Sequence, residues 1–323
     1  MIRGYVNDRG HLRAADDPLK EIDDVIWADL TNPSGEEKGA LEARIGIGIP
    51  ALEEMEEIEI SSRLYYEDGA AFMTATLPAQ TDNDTPKMSP VTFVLAGKRL
   101  ITVRYHDPRA FQTFPLRAAR VAMGCTNGEN TLIALLEAII DRLADILERA
   151  GRDIDQISRV VFQHNGNNPT KSRDFQKVLE DIGLKGDLTS NIRDSLMTLE
   201  RLIGFLGQVT TQRKSDKDIR ARHKTLSRDA HSLTDHASFL SQKITFLLDA
   251  TLGMINIEQN AIIKIFSVAA VVFLPPTLIA SIYGMNFAFI PELKWHFGYP
   301  LSLVLMVVSA ILPFWYFKRR GWL

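Results

Sequence analysis

The chain has 323 residues, room for one or two soluble domains. A composition of 46% hydrophobic and 24% charged residues describes an ordinary soluble protein, and a net charge of -3 argues against bulk nucleic-acid binding. A lone Cys125 excludes an intramolecular disulfide framework and reads as a small apolar packing residue.

Met1 to Lys20 is polar and charged and lacks the apolar core of a signal peptide. The first third then alternates β-rich runs with turn residues: Asp24 to Leu30 before Asn32-Pro33-Ser34-Gly35, and Leu64 to Leu77 broken at Asp68-Gly69. Val91 to Leu95 and Leu100 to Tyr105 predict a hairpin about Ala96-Gly97-Lys98-Arg99, while Glu36 to Ile45 and Pro50 to Ser61 predict short helices. Residues 1–115 therefore read as a mixed α/β domain. A helical region, 116–212, follows, with Leu132, Leu135, Leu136, Ile139, Ile140, Leu143 and Ile146 at helical spacing.

No proline lies between Pro169 and Pro275 and no glycine between Gly207 and Gly253, which predicts one very long helix over 213–283. Along it Ile219, Leu226, Leu233, Leu240, Leu247 and Met254 recur every seven residues, with Ala230, Ala237, Ile244 and Thr251 between them. Such a heptad seam demands other helices, from the same chain or from copies of it. The small Ala230 and Ala237 suit a bundle of identical stalks, and an intrachain hairpin is the other solution. His223, His231 and His236 lie near Asp229 and Asp235, and His231 with Asp235 has the i, i+4 spacing of a two-ligand zinc face. A hydrated helix surface explains them better, and the same holds for the basic stretch from Arg213 to Arg228, which is interrupted by Asp216 and Asp218.

Ile265 to Tyr283 and Tyr299 to Phe317 are uncharged apolar runs of about 19 residues, each near the roughly 20 a helix needs to cross a bilayer. The second run closes on Trp315, Tyr316, Phe317, then Lys318, Arg319, Arg320 and Trp322, an aromatic belt followed by basic residues. The connecting loop carries only Lys294, so the basic bias places both termini in the cytoplasm and residues 284–298 outside. On the first span, Gly253, Asn256, Asn260, Ile263, Ser267, Ala270, Leu274, Thr277 and Ser281 share one face that is mostly small or polar. Tight helix packing is one explanation. Asn260 and Asn286 at its two ends favour a pore lining, with Ile263 and Leu274 as apolar constrictions. Pro275 and Pro276 remove the donors that would bond Val271 and Val272, predicting a kink or local widening.

The segments Ile257-Glu258-Gln259-Asn260, Phe273-Leu274-Pro275-Pro276-Thr277, Tyr283-Gly284-Met285-Asn286-Phe287, Pro291-Glu292-Leu293-Lys294-Trp295 and Phe317-Lys318-Arg319-Arg320-Gly321-Trp322-Leu323 closely resemble bacterial CorA magnesium channels. Gly-Met-Asn is a weak motif alone and a strong one between two terminal spans. The resemblance implies an α+β cytoplasmic domain, a long helical stalk and two C-terminal transmembrane helices in a funnel-shaped homopentamer of the inner membrane. It implies a channel, not an enzyme, with no cofactor and no nucleic-acid partner: magnesium is the cargo, and cobalt and nickel pass as additional ions. The boundaries implied are 213–283 for stalk and first span, 284–298 for a periplasmic loop, 299–317 for the second span and 318–323 for a basic cytoplasmic end.

By the same resemblance Gly284, Met285 and Asn286 form the selectivity filter, and Asn260, Ile263, Phe266, Leu274 and Thr277 line the pore, joined by Ser267 from the small and polar stripe. Many relatives carry an acidic residue where this chain has Ala288, leaving Glu292 to attract cations at the outer loop. Cytoplasmic magnesium is implied to close the channel by bridging acidic groups of neighbouring subunits, for which Asp229, Asp235, Glu67 and Asp68 are candidates, with the run Glu53, Glu54, Glu56 and Glu57. No phosphate loop is present, and the membrane potential suffices to drive influx. A ZntB-like zinc transporter, whose filter commonly departs from Gly-Met-Asn, and a non-conducting membrane-tethered scaffold are the alternatives.

Overall fold

The computed structural model describes residues 1–81, 86–162, 174–286, 290–291 and 295–322. They divide into two units, Met1–Leu248 and Asp249–Leu323. In the first, seven strands form one sheet: β1 (Ile2–Asp8), β2 (His11–Ala14), β3 (Val25–Thr31), β4 (Leu64–Glu67), β5 (Ala70–Ala79), β6 (Lys87–Ala96) and β7 (Arg99–Arg104), in the order β2-β1-β3-β7-β6-β5-β4. The central β3–β7 pair is parallel and the flanking pairs are antiparallel. The hairpin predicted from Val91 onward is β6–β7, in which Ala96 pairs with Arg99. β4 and β5 join through Asp68 and Gly69, both with positive φ (48° and 75°), as a two-residue hairpin turn requires. No strand is predicted before Asp24, yet β1 and β2 form a hairpin whose large buried apolar side chains are only Tyr5, Val6 and Leu12, too few to set up an alternating signal.

Alternate strand residues serve opposite faces of the sheet. Ala28, Leu30, Ile101 and Val103 share one core with Leu41 of α1 (Gly35–Ile45) and Met55 of α2 (Leu52–Glu56). Ser34 and Glu37 close a capping box that starts α1. The single helix predicted over Pro50 to Ser61 is in fact two, α2 and α3 (Ile60–Arg63). Glu53, Glu56 and Glu57 would stack like charges at i, i+3 and i+4 in a continuous helix, which favours the break. On the other face Trp27 packs against Phe111 and Phe114 of α4 (Arg109–Arg120), with ring centroids 6.4 and 5.7 Å apart. Pro115, where the sequence suggests that the α/β domain ends, lies inside α4. The burial of Ala110, Phe111, Phe114 and Ala118 along one side outweighs the lost backbone bond.

The face covered by α4 holds a buried ion pair absent from the sequence reading. Arg104 donates through Nη2 to Asp29 Oδ2 at 2.9 Å and through Nη1 to Asp107 at 2.6 Å, with both Arg104 and Asp29 almost fully buried. Thr102 donates to Asp29 at 2.7 Å and itself accepts from the Trp27 indole at 3.0 Å. Burial opposes the charge on Arg104, but the hydrogen bonds and charges of Asp29 and Asp107 outweigh it and raise the guanidinium pKa. Removing one partner strands the other charge. Arg104→Met is therefore expected to cost about 3–5 kcal/mol of stability by denaturant titration of the soluble unit, and apolar replacement of Asp29 as well should restore part of the loss.

His106 is buried beside this network. Its Nε2 donates to the Leu77 carbonyl at 2.8 Å, and its Nδ1 has no partner. Burial, reinforced by the charges of Arg104 and Lys87, outweighs the Leu77 hydrogen bond and lowers its pKa from 6.5. A lowered histidine pKa means that the unfolded chain binds the proton more readily, so stability is intact above about 6.5 and declines as pH falls below it. His106→Gln should flatten the pH dependence of the melting temperature in that acid window, which thermal scans at pH 7.5, 6.5 and 5.5 would register.

Three helices complete the unit. α5 (Gly128–Phe162) buries all seven of its predicted seam residues from Leu132 to Ile146. A Cβ at Gly128 would lie 2.3 Å from the Leu100 nitrogen, so only glycine lets α5 start against the β6–β7 turn, where Gly128 N–H bonds Lys98 O at 2.7 Å. α6 is Phe175–Gln212, and α7 is the long helix predicted, Lys217–Tyr283. Within the first unit the α7 seam packs inside the chain: Ile219, Leu226, Ala230, Ala237, Leu240 and Leu247 are buried in a single copy. Arg222 pairs with Glu137 of α5 at 2.7 Å and His223 bonds the Ile203 carbonyl of α6 at 2.7 Å. Much of this seam is thus met by helices of the same chain, while Leu233 and Ile244 on it stay half-buried, and His223 turns out to be a packing residue instead of part of a hydrated surface.

Candidate functional site

The second unit contains the C-terminal part of α7 and α8 (Gly298–Arg319). Each is long and apolar enough to cross a membrane. At 1.5 Å per residue the 22 residues of α8 span about 33 Å, close to the thickness of a hydrocarbon core. The apolar side chains are not gathered into a core. Ile263, Phe266 and Leu274 are 60, 71 and 65% exposed, and α8 buries only Gly298 and Ser302. Surfaces of this kind need a nonaqueous environment or other copies.

Asn260, Ile263, Phe266, Ser267, Leu274 and Thr277 all lie on α7 and are all exposed, so the proposed lining is unobstructed in the single chain. The helix runs through Pro275 and Pro276. Immediately after them Thr277 Oγ1 donates to the Phe273 carbonyl at 2.6 Å, giving that oxygen a side-chain partner. The helix ends at Tyr283, and the Gly284-Met285-Asn286 tripeptide begins with the next residue. Gly284 N–H bonds Ala280 O at 2.9 Å and Met285 N–H bonds Ile282 O at 3.3 Å, so the chain leaves the helix through a tightened final turn. A Cβ on Gly284 would meet the Ala280 carbonyl oxygen at 3.1 Å. Met285 and Asn286 then stand exposed at the helix end. Phe287, Ala288 and Glu292 lie outside the described residues.

The candidate regulatory carboxylates are separated. Glu67 and Asp68 sit at the β4–β5 turn, and Asp229 and Asp235 lie on α7, all four exposed. Asp229 and Asp235 are six residues apart, which turns them to different sides of a helix. His231 approaches Glu200 at 3.2 Å and Asp235 at 3.8 Å while remaining exposed. Among the described residues no group of three or more His, Cys, Asp or Glu is placed to hold a metal ion. Sequence reasoning gave no role to Lys264, the last charge before the first apolar run, whose Nζ lies 5.9 Å from the Trp322 ring centroid. Its position at that boundary was the available signal.

Fold and site together define a two-span membrane protein with a large α+β extramembrane unit. A family model described as CorA-like Mg2+ transporter protein matches residues 23–319. The magnesium transport protein CorA of Salmonella typhimurium is 38% identical over 325 residues and that of Pasteurella multocida 35% over 324, with complete coverage of both chains in each case. The chain belongs to the CorA family of magnesium transporters. The complete CorA structure from Methanocaldococcus jannaschii superposes with a TM-score of 0.78 at 21% identity, over 100% of this chain and 99% of that one, so the fold is shared. The ZntB cytoplasmic domain from Vibrio parahaemolyticus shares the fold of 79% of this chain and 97% of its own, at a TM-score of 0.57 and 11% identity.

The close approach at Gly284 makes a testable demand on the tripeptide. An alanine methyl there would press on a backbone carbonyl, straining the turn by about 1–3 kcal/mol. Gly284→Ala is expected to lower ion uptake into vesicles by about ten-fold while leaving the amount of assembled protein in the membrane unchanged.

Proposed function

We propose that the chain forms a magnesium channel of the inner membrane, assembled from five copies, that admits Mg2+ passively down the membrane potential. The observation that carries this reading is the exposed Gly284-Met285-Asn286 tripeptide at the end of an apolar helix whose exposed face bears Asn260, Ser267 and Thr277. Two spans cannot enclose a pore, so copies must supply its wall. Five Asn286 amides and neighbouring carbonyls would then present neutral oxygens to the ion. Magnesium dehydrates reluctantly, and neutral acceptors can hold its water shell without trapping it as a ring of carboxylates would. Ile263 and Leu274 would form apolar rings that close by excluding water. A potential of 100 mV gives a divalent ion about 4.6 kcal/mol on moving inward, so no nucleotide is needed.

Both termini lie in the cytoplasm in this reading, and Glu292 concentrates cations at the outer loop. Cytoplasmic magnesium closes the pore by bridging carboxylates contributed by neighbouring copies, with Asp229, Asp235, Glu67 and Asp68 as candidates. Their separation within one chain fits a site completed only on assembly. Cobalt and nickel share the pathway as minor cargo. Magnesium is favoured over zinc because the relatives at 33–38% identity along the whole chain are magnesium transport proteins. The likeness to the ZntB domain extends to the fold alone.

The test is magnesium uptake into proteoliposomes under an inside-negative potential, comparing the native chain with Asn286→Ala and repeating with magnesium preloaded inside. Uptake that needs Asn286 and falls with internal magnesium is expected. Zinc flux without magnesium flux in assembled protein would transfer the chain to the zinc reading, and no flux of either ion would leave a scaffold.

A further inference from the structure

At one end of the Asp249–Leu323 unit four exposed cations, Lys264, Lys318, Arg319 and Arg320, border the apolar spans. Three of them lie against aromatic rings instead of carboxylates. Lys264 Nζ is 5.9 Å from the Trp322 centroid, the Arg319 guanidinium 5.5 Å from Trp315 and that of Arg320 5.6 Å from Tyr316. Trp322 stacks on Phe317 at 5.2 Å, which holds the chain beyond α8 near Lys264 of α7. The carboxylates described in this unit are Asp249 and Glu258, and no ion pair among the described residues reaches any of the four cations.

A ring face attracts a cation without cancelling its charge. Among the described residues, therefore, no carboxylate compensates these four like charges. Their depth is fixed by the apolar runs, which begin at Ile265 and end at Phe317, so they stand where lipid headgroups meet water. The anion abundant at that level is a lipid phosphate. The exposed Ile311, Leu312, Phe314 and Trp315 of α8 offer apolar surface for the attached acyl chains.

We propose that Lys264, Lys318, Arg319, Arg320 and Trp322 form a binding site for the headgroup of an anionic phospholipid. The site rests on the membrane-spanning reading given above. The aromatic rings set the positions of the cations, and the phosphate supplies the missing charge by charge-assisted hydrogen bonds. Zwitterionic lipid fits less well because its own ammonium group repels the cluster.

The experiment uses the full chain carrying Trp295→Phe, so that Trp315 and Trp322 are the tryptophans at the lipid boundary. It is reconstituted with phosphatidylcholine, and quenching of tryptophan fluorescence by dibrominated phosphatidylglycerol is compared with quenching by dibrominated phosphatidylcholine. The anionic lipid is expected to bind at least about five-fold more tightly at low salt, the worth of one cation near a surface, and the preference should shrink as salt is added. Replacing all four cations by glutamine should bring the ratio near one, whereas Arg319→Lys with Arg320→Lys should preserve most of it. Equal quenching by the two lipids in the unsubstituted cluster, or a preference that survives the glutamine variant, overturns the proposal. Absence of quenching by either lipid would instead remove the spanning reading, and the proposal with it.

Discussion

Hydrocarbon offers the backbone no hydrogen-bond partner, and this constraint shapes everything beyond Asp249. It requires helices, and it limits where a helix can be interrupted. α7 passes Pro275 and Pro276, whose missing N–H groups leave the Val271 and Val272 carbonyls without their helical donors. Thr277, immediately after the pair, turns its hydroxyl back to Phe273 O. The same demand applies to side chains. Asn260, Ser267 and Thr277 are exposed on a single copy, and polar groups facing lipid are costly. In the proposed assembly these groups face water and other copies, so the cost that forbids a lone chain favours association.

The extramembrane unit meets a different difficulty. A sheet with a parallel centre must be covered on both sides, and here α1 and α2 cover one face while α4, α5 and α6 lie on the other. Covering both faces buries Asp29 and Arg104, which are tolerable only because each satisfies the other. Much of the α7 seam up to Leu248 is consumed in the same way, by α5 and α6 of its own chain. Contacts between copies cannot use that part again. They are left to surfaces exposed in one chain, such as the side of α7 carrying Phe239, which is 57% exposed.

Legibility in the sequence followed the strength of the repeating pattern. The apolar runs, the seven α5 seam residues and the β6–β7 hairpin each repeat one physical requirement many times, and each is found in the structure. The β1–β2 hairpin has few buried residues, and Pro115 looks like a helix breaker until Phe111 and Phe114 are seen against Trp27. The heptad seam named the need for partners without naming the partners, because knobs fit holes of either origin. His223 could not be separated from His231 by spacing. One bonds a buried carbonyl and the other sits beside exposed carboxylates. Of the site, the tripeptide and its helix could be read, while the contact of Lys264 with Trp322, 58 positions apart in sequence, could not.

Charge along the proposed pathway completes the argument. No carboxylate lies in either apolar run, and the polar side chains of the first are hydroxyls alone, so an ion on the proposed path would meet no fixed negative charge there. That suits a tightly hydrated ion, which must be greeted without being held. At the end marked by Lys264 the sign changes: each copy would add four cations that no described carboxylate pairs. Repeated around an axis, such a cluster would oppose a departing divalent cation, the more so at low ionic strength. An aromatic setting lowers the cost of keeping these charges but does not cancel them. An anion drawn from the surroundings would, and in the proposed site that anion is carried by lipid. On this proposal, the residues that anchor the spans and the field felt by the ion would be coupled through membrane composition.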